Sequence, residues 1–322
     1  MMDRILGIIL VVASAAGFGT LAIFGRYAYA DGMDTLTILS LRFALATIPT
    51  LALLAIRRER FPRGSVLLRL IGMGVIGYVC AAFAYLVALK YASAGLVALL
   101  LYLYPIFVAL IAVPLLHEPL TGAKGMALGL ALTGTALAVG PLSGQAPGIL
   151  LAIGSALLYA IYIIVGKDVM RHVSSVQSSA VIFITAGIVN GVLMMVTGPH
   201  LPVTGRGWAA ITAMVVITTL LPVVAFLSGL KRIGPTNAAM LSTLEPVVTV
   251  LLASWWLNET LTPITLLGGG LILTAALLVI HGEVRRPPFM TGDQAVRSGQ
   301  SGAIHPIAST TQPPSASESS SK

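Results

Sequence analysis

Long apolar runs separated by short polar connections dominate this chain. No charged residue falls within Ile5–Phe24, Ile71–Leu89, Ala92–Leu116 or Trp208–Leu230. A helix rises about 1.5 Å per residue, so roughly 18 or more apolar residues cross the ~30 Å hydrocarbon layer of a bilayer. The pattern predicts ten membrane-spanning helices, over 5–25, 35–56, 70–89, 93–116, 122–140, 148–166, 174–197, 207–230, 236–257 and 263–281. The fold class expected is therefore an all-α polytopic membrane protein, with neighbouring helices mostly antiparallel.

Composition sharpens this picture. Hydrophobic residues fill 57% of 322 positions and charged residues only 9%, against about 25% charged in soluble domains. The net charge of +8 does not point to nucleic acid, because the basic residues lie between hydrophobic segments rather than along one soluble face. Cys80 is the single cysteine, which excludes disulfides within the chain and cysteine-rich metal sites. Arg4, the following apolar run and Ala13-Ser14-Ala15 have the outline of a cleaved signal peptide. The run continues to Phe24, however, and the repeat described below requires this first helix. From Glu283 the chain turns to Ser, Thr, Pro, Gln and Gly. Such a tail buries too little apolar surface to offset its ordering entropy, so disorder is expected over 283–322.

Lys and Arg in the loops set the orientation. One side collects 15 of them: Arg4, Arg57, Arg58, Arg60, Arg63, Arg69, Lys124, Lys167, Arg171, Lys231, Arg232, Arg285, Arg286, Arg297 and Lys322. The other side has 3, Arg26, Lys90 and Arg206, and Arg42 lies inside a helix. The bias puts both termini in the cytoplasm and the chain in a cytoplasmic (inner) membrane.

Sliding the chain against itself by 141 residues reveals an internal repeat. Ala88–Thr133 aligns without gaps to Gly229–Thr274, with 16 of 46 positions identical. Pro105 falls on Pro246, Glu118 on Glu259, Leu120-Thr121 on Leu261-Thr262 and Gly129 on Gly270. The same offset pairs Gly7-Ile8 with Gly148-Ile149 and Ser14-Ala15 with Ser155-Ala156. Two repeats follow, over 1–141 and 142–282. Each holds five spans, an odd number, so the second half enters the membrane from the opposite side. Inverted repeats of this kind are typical of secondary transporters.

At this point the residues resemble a known family. Tyr102-Leu103-Tyr104-Pro105 followed by His117-Glu118-Pro119-Leu120-Thr121, and Leu244-Glu245-Pro246 followed by Asn258-Glu259-Thr260-Leu261-Thr262, are similar to the paired hallmark of EamA-type transporters. That family falls within the drug/metabolite transporter superfamily. Arg42-Phe43 in the second span fits the same pattern, while Phe18-Gly19 departs from the Trp-Gly that many members carry. The resemblance, over about residues 5–281, implies ten helices around a central cavity and frequent export of amino acids or related metabolites.

Several residues are candidates for the chemistry. Glu245 lies near the bilayer midplane, where an ionisable group costs at least about 2.5 kcal/mol and must face a cavity or partner. It either binds a substrate amine, exchanges a proton with the coupling ion gradient, or is a carboxyl bonded to its neighbours. Pro105 and Pro246 each remove a helical hydrogen bond and free the carbonyl four residues earlier, Leu101 and Ser242. Matched breaks in two halves mark a binding region, or else packing kinks. Tyr104 occupies the position equivalent to Glu245. One helical face aligns Asn237, Leu241, Glu245 and Val248, against Leu96, Leu100, Tyr104 and Phe107 in the other half. This mixed aromatic and polar wall suits a small zwitterion or organic cation. Arg42 is a grip for a substrate carboxylate, an ion-pair partner of Glu245 or Glu259, or a snorkelling side chain. Glu118 and Glu259 end their helices, where a carboxylate favours the start of the next helix; they either fix the turn or act as gates. Gly125-x3-Gly129 and Gly187-x3-Gly191 read as close helix packing.

No enzyme is expected. The five histidines are scattered over helix ends and tail, no His-Glu-x-x-His metal site occurs, and no nucleophile with its base or acidic Mg²⁺ cluster is evident. A Walker-type loop for ATP is missing as well. The sequence therefore reads as a transporter, by export or alternatively by uptake or exchange, with an intramembrane enzyme as the lesser reading; it expects a small-molecule solute, lipid as its surroundings, a proton as candidate coupling ion, and no cofactor.

Overall fold

A computed structural model describes residues 2–88, 90–92, 94–116, 121–138, 144–257 and 262–285. Glu118 and Glu259 lie outside these residues, as does the tail from 286. Among the described residues the chain is helical, with one isolated backbone bridge between Ala92 and Gly144. Nine helices there are long and apolar enough to cross a membrane. The tenth expected span, 122–140, is the 17-residue helix α8, Gly122–Ala138.

Half of the predicted spans are subdivided. The first comprises α1 (Met2–Gly19) and α2 (Leu21–Ala30), interrupted at Thr20, whose hydroxyl donates to the Gly17 carbonyl at 2.7 Å. The second is α3 (Thr35–Ile56), opened by the Asp34 carboxylate, which accepts from the Thr37 N–H. The third begins earlier than expected and passes from α4 (Gly64–Met73) through a π-helical segment, Gly74–Cys80, into α5 (Ala81–Ala88). The fourth is α6 (Ala94–Leu101) and α7 (Tyr104–Leu116). Helix α9 (Ala146–Val169) and helix α10 (Ser175–Thr197) follow α8, the latter opened by a capping box of Ser174 and Gln177. The eighth span runs from α11 (Gly205–Val215) through a second π segment, Val216–Leu220, into α12 (Leu221–Ile233). Then come α13 (Pro235–Ser242), α14 (Glu245–Leu257) and α15 (Pro263–Arg285). The last carries the helix past residue 283 to Arg285, continuing through the polar stretch where the sequence pattern ends it.

The 141-residue offset reappears in the element boundaries. Helices α6 and α7 end and begin at 101 and 104, α13 and α14 at 242 and 245, and the π segments overlap at 75–79 and 216–220. The tertiary contacts obey it too. Ser14 donates to the Pro222 carbonyl at 2.8 Å, and Ser155, its counterpart, donates to the Ala81 carbonyl at 2.8 Å. Helix α1 thus packs on α12 at one membrane face, and α9 packs on α5 at the other. The remaining large pairings, α3 with α10 and α8 with α15, join equivalent helices of the two halves.

Close approach at the α1–α12 contact requires glycine. A Cβ on Gly229 would stand 2.4 Å from a Val11 methyl and 2.8 Å from the Gly7 carbonyl, and one on Gly7 would stand 2.7 Å from Ile233. These contacts close the amino-terminal face, where Val11, Leu227, Leu230 and Ile233 are buried. On the opposite face Asp31 accepts from the Thr204 hydroxyl at 2.5 Å and from the Val203 and Thr204 N–H groups, tying the end of α2 to the start of α11. The Thr204 hydroxyl, then its backbone N–H, hold the Asp31 carboxyl below the ordinary carboxylate range.

Substituting Gly229→Ala is expected to cost about 1–3 kcal/mol through overpacking against backbone, despite the better helix propensity of Ala. Gly25→Ala, where an added Cβ meets nothing within 4 Å, is expected to leave the thermal midpoint unchanged or slightly raised. Thermal unfolding of the two variants in detergent checks this.

Candidate functional site

The helix breaks converge. Gly19, at the end of α1, lies so close to α14 that a Cβ there would approach the Glu245 carbonyl to 2.9 Å, and Thr249 donates to the Gly19 carbonyl at 3.0 Å. The interruption at Thr20 therefore abuts the interruption at Thr243-Leu244. In both halves the helix stops ahead of its proline, in the turns Tyr102-Leu103 and Thr243-Leu244, and resumes with Pro105 or Pro246 as its second residue. A proline there loses no intrahelical bond, because the first turn has unpaired N–H groups anyway. The consequence for the site is that Tyr104 and Glu245 each become the first residue of a new helix at matching depth.

Between these breaks lies a cavity of about 310 Å³ that includes Arg42, Tyr78, Tyr85, Tyr102, Tyr104, Tyr159 and Glu245 in its lining. Tyr85 is one turn from the end of α5, and Arg42 two turns from the start of α3. The cavity therefore occupies the half of the bundle away from the amino-terminal face. Below it, Tyr159 stacks on Tyr162 at 5.6 Å and Tyr162 on Phe226 at 6.5 Å. Tyr162 is 1% exposed and Phe226 2%, so this aromatic column plugs the path toward the amino-terminal face. Tyr162 fits because Gly77 in the first π segment presents no side chain; a Cβ there would lie 2.6 Å from the ring.

Arg42 is buried at 6% exposure and points inward, so it does not snorkel. Its Nε–H donates to the Thr219 hydroxyl at 2.7 Å, and an Nη2–H reaches the Thr218 carbonyl at 3.4 Å. Its guanidinium carbon lies 5.1 Å from the Phe43 ring centroid. Thr218 and Thr219 both bond to the Met214 carbonyl, four and five residues back. The π turn allows that double acceptance, and so presents a hydroxyl and a carbonyl side by side to the cation. Among the described residues Arg42 forms no ion pair with Glu245; the two charges face one cavity from separate walls. Glu245 is only partly buried there.

Edge contacts, linked through the Tyr159–Tyr162 stack, join several of these rings. Tyr104 meets Tyr159 at 4.9 Å and 83°, Tyr78 meets Phe43 at 5.4 Å and Tyr162 at 5.3 Å. The Tyr104 hydroxyl also donates to the Ala239 carbonyl at 3.2 Å, holding α7 against α13. Edge-to-face geometry exposes ring faces elsewhere in the cavity. The arrangement supplies one cation, one carboxyl and several electron-rich ring faces around a volume suited to a small solute. Groups of three or more His, Cys, Asp or Glu able to hold a metal do not occur among the described residues.

The cavity joins Arg42, Tyr104 and Glu245 of the candidate residues. Asn237 is instead buried in α13, donating to the Ile233 carbonyl, and Leu241 is fully buried in the core beside it. Leu100 packs on a small cluster of Ala88, Val97 and Ala152, and Pro246 lines an apolar groove between α14 and α15. Sequence reasoning missed Tyr78, Tyr85, Tyr102 and Tyr159. A signal was present: tyrosine in membrane proteins favours the two interfaces, and these four interrupt apolar spans.

Removing the Arg42 acceptor by Thr219→Val is expected to cost about 1.5–3 kcal/mol, the worth of a hydrogen bond to a charged group. Thr212→Val, on the exposed face of α11, is the comparison, read by thermal unfolding in detergent.

With this geometry in place, the chain can be set beside known proteins. The model of the EamA-like transporter family matches residues 5–140 and 146–281. A protein of Archaeoglobus fulgidus described as an uncharacterized transporter is 29% identical over 273 residues, covering 83% of this chain and 94% of the relative. The uncharacterized transporter YcbK of Bacillus subtilis is 25% identical over 82% of this chain and 89% of its own length. The uncharacterized inner membrane transporter YedA of Escherichia coli is 27% identical over 51% of this chain and 54% of its own. One solved crystal structure superposes with a TM-score of 0.76 at 21% identity, over 87% of this chain and 98% of that one; it shares the fold.

Proposed function

The chain belongs to the EamA-like transporter family and is a small-solute transporter of the membrane, and on that footing we propose that it is a secondary exporter of small zwitterionic or cationic metabolites, amino acids or related amines. One observation carries the reading: Arg42, Glu245 and a wall of tyrosines face a single cavity within the bundle. A solute carboxylate pairs with the guanidinium, and its ammonium with the Glu245 carboxylate and the tyrosine faces. The thioether, ring or chain of a side group lies against Phe18 and Leu21.

Transport in this reading is alternating access. The cavity lies toward the face opposite the termini, and the aromatic column with the α1–α12 contact closes the other. The alternative state exchanges these roles, with α1 and α12 parting at the amino-terminal face and the present mouth of the cavity closing, as the repeat relation supports. Protonation of Glu245 couples the cycle to a proton gradient by releasing the ammonium. The amino-terminal face is cytoplasmic, in line with the 15-to-3 bias of basic residues, and the membrane is the cytoplasmic one.

The experiment is metabolite profiling of medium from cells producing the wild type or Glu245→Gln at equal membrane levels. The wild type is expected to enrich an amino acid or amine outside, and the variant to reduce that enrichment about tenfold or more, as loss of a charge-assisted contact predicts. Unchanged export by Glu245→Gln would remove Glu245 from the mechanism. Arg42→Gln is expected to weaken transport of solutes bearing a carboxylate while sparing the decarboxylated amines. Equal loss for both classes would deny Arg42 its role as carboxylate grip.

A further inference from the structure

A second cavity, of about 470 Å³, opens at the amino-terminal face, well away from the tyrosine-lined one. It lies where four elements meet: the end of α3 at Arg57, the start of α10 at Ser174 and Ser175, the second half of α12, and the first turn of α1 at Asp3. Among the described residues three cations line it, Arg57, Lys231 and Arg232, against one carboxylate, Asp3; the Glu59 carboxylate lies behind it, accepting from the Ser174 hydroxyl. Asp3 accepts from Arg232 Nε at 2.9 Å, and the Ser228 carbonyl accepts from Arg232 Nη1 at 2.7 Å, which fixes that guanidinium in place. The Arg57 and Lys231 side chains form no hydrogen bond or ion pair among the described residues. The Ser228 and Ser175 hydroxyls lie 2.7 Å apart across the α12–α10 gap, so one of them keeps a proton to donate. Deeper in the cavity the lining becomes apolar at Val224, seven residues and about 10 Å along α12 from Lys231.

The repeat shows that this polar set is not a by-product of packing. At the 141-residue offset Asp3 corresponds to Gly144, Arg57 to Gly198, Ser228 to Val87 and Arg232 to Tyr91. The opposite face thus builds the same helix contacts without the carboxylate, the serine and the two arginines, while Lys231 keeps a counterpart in Lys90. A general excess of basic residues on one face explains positive charge there, but not serine hydroxyls and a fixed guanidinium turned into the same cavity above an apolar floor.

We propose that this cavity binds the headgroup of an anionic phospholipid. The phosphodiester sits among Arg57, Lys231 and Arg232, the Ser175 and Ser228 hydroxyls bond to the phosphate or glycerol oxygens, and an acyl chain descends past Val224. Its position at the helix ends is the depth of the headgroup layer, and a basic pocket between membrane helices is the form such recognition takes. A lipid seated there joins α3 and α10 to the α1–α12 pair, and so favours the state closed at this face. The inference is independent of which solute is carried.

The test uses the delipidated full chain in neutral detergent, with bound lipid counted by native mass spectrometry and stability followed by thermal unfolding. The probes are phosphatidylglycerol, phosphatidylcholine and inorganic phosphate. Phosphatidylglycerol is expected to bind the wild type and raise its thermal midpoint, while phosphatidylcholine does neither. The double variant Arg57→Gln/Lys231→Gln is expected to bind phosphatidylglycerol at least about tenfold more weakly, the size expected for two basic residues at a membrane surface. Arg63→Gln/Arg171→Gln removes the same charge from the same face outside the cavity, and is expected to bind as the wild type does. Should the double variant fail to fold, Lys231→Gln alone is read the same way, with about a fivefold loss. Equal weakening in the Arg63/Arg171 pair would reduce the effect to diffuse surface charge and overturn the site. Undiminished binding by the cavity variants would overturn it as well. A full thermal shift with inorganic phosphate alone would assign the cavity to a free anion instead of a lipid.

Discussion

Hydrocarbon offers no water to a backbone group that loses its helical partner. Among the described residues, two interruptions of this bundle show how protein covers such groups. The break at Thr20 is closed by its own hydroxyl and by Thr249 from α14; the π turn at Val216–Leu220 is filled by two threonine hydroxyls and by Arg42. The need to cover these irregularities dictates which helices must touch at mid-depth. Those contacts in turn place the Arg42 cation and the Glu245 carboxylate around one cavity.

The pairing of helices follows from the same requirement. Ser14 on Pro222 and Ser155 on Ala81 are one contact built twice, at opposite depths. Both acceptors lie at or just beyond the end of a π segment, where the helix ladder is disturbed and a carbonyl is open to a second helix. The two halves nevertheless differ where function is concentrated. Position 42 is an arginine and its counterpart 183 a phenylalanine, and position 104 is a tyrosine where 245 is a glutamate. The frame is symmetric while its charges are not, so a solute with two different ends meets two different walls.

Much of this architecture could be read from the chain because lipid imposes a simple code. Length of apolar run gave the spans, and the 141-residue repeat located the paired breaks, since Pro, Glu and Thr stand out against Leu and Ala. Glu245, Tyr104 and Arg42 could be singled out for the same reason. What was hidden depends on rotation about each helix axis. Asn237 and Leu241 share a helical face with Glu245 on a continuous helix, but the turn at Thr243-Leu244 separates them, leaving both in the core. Tyr78 and Tyr85 reach the cavity from a span whose rotation is reset by the π segment between Gly74 and Cys80. No hydrophobic pattern announces such a segment, because every residue in it except Gly is apolar or sulfur-bearing or aromatic, as its neighbours are. The end of α15 was misplaced for a different reason: a helix already formed in the membrane continues for a turn into polar surroundings.

The π segments also constrain how this chain can change its length. A π turn holds one residue more than the α-helical ladder accommodates, so deleting a single residue there would restore regular hydrogen bonding. A deletion in the regular helix ahead of it has no such absorber, and would rotate everything beyond by about 100°, the angle of one residue in a helix. Tyr85 would leave the cavity in the first half, and Phe226 would leave the aromatic column in the second. Loops between spans tolerate insertions and losses, and within these two spans the π stretches are where a residue can be lost with the aim of the following side chains kept.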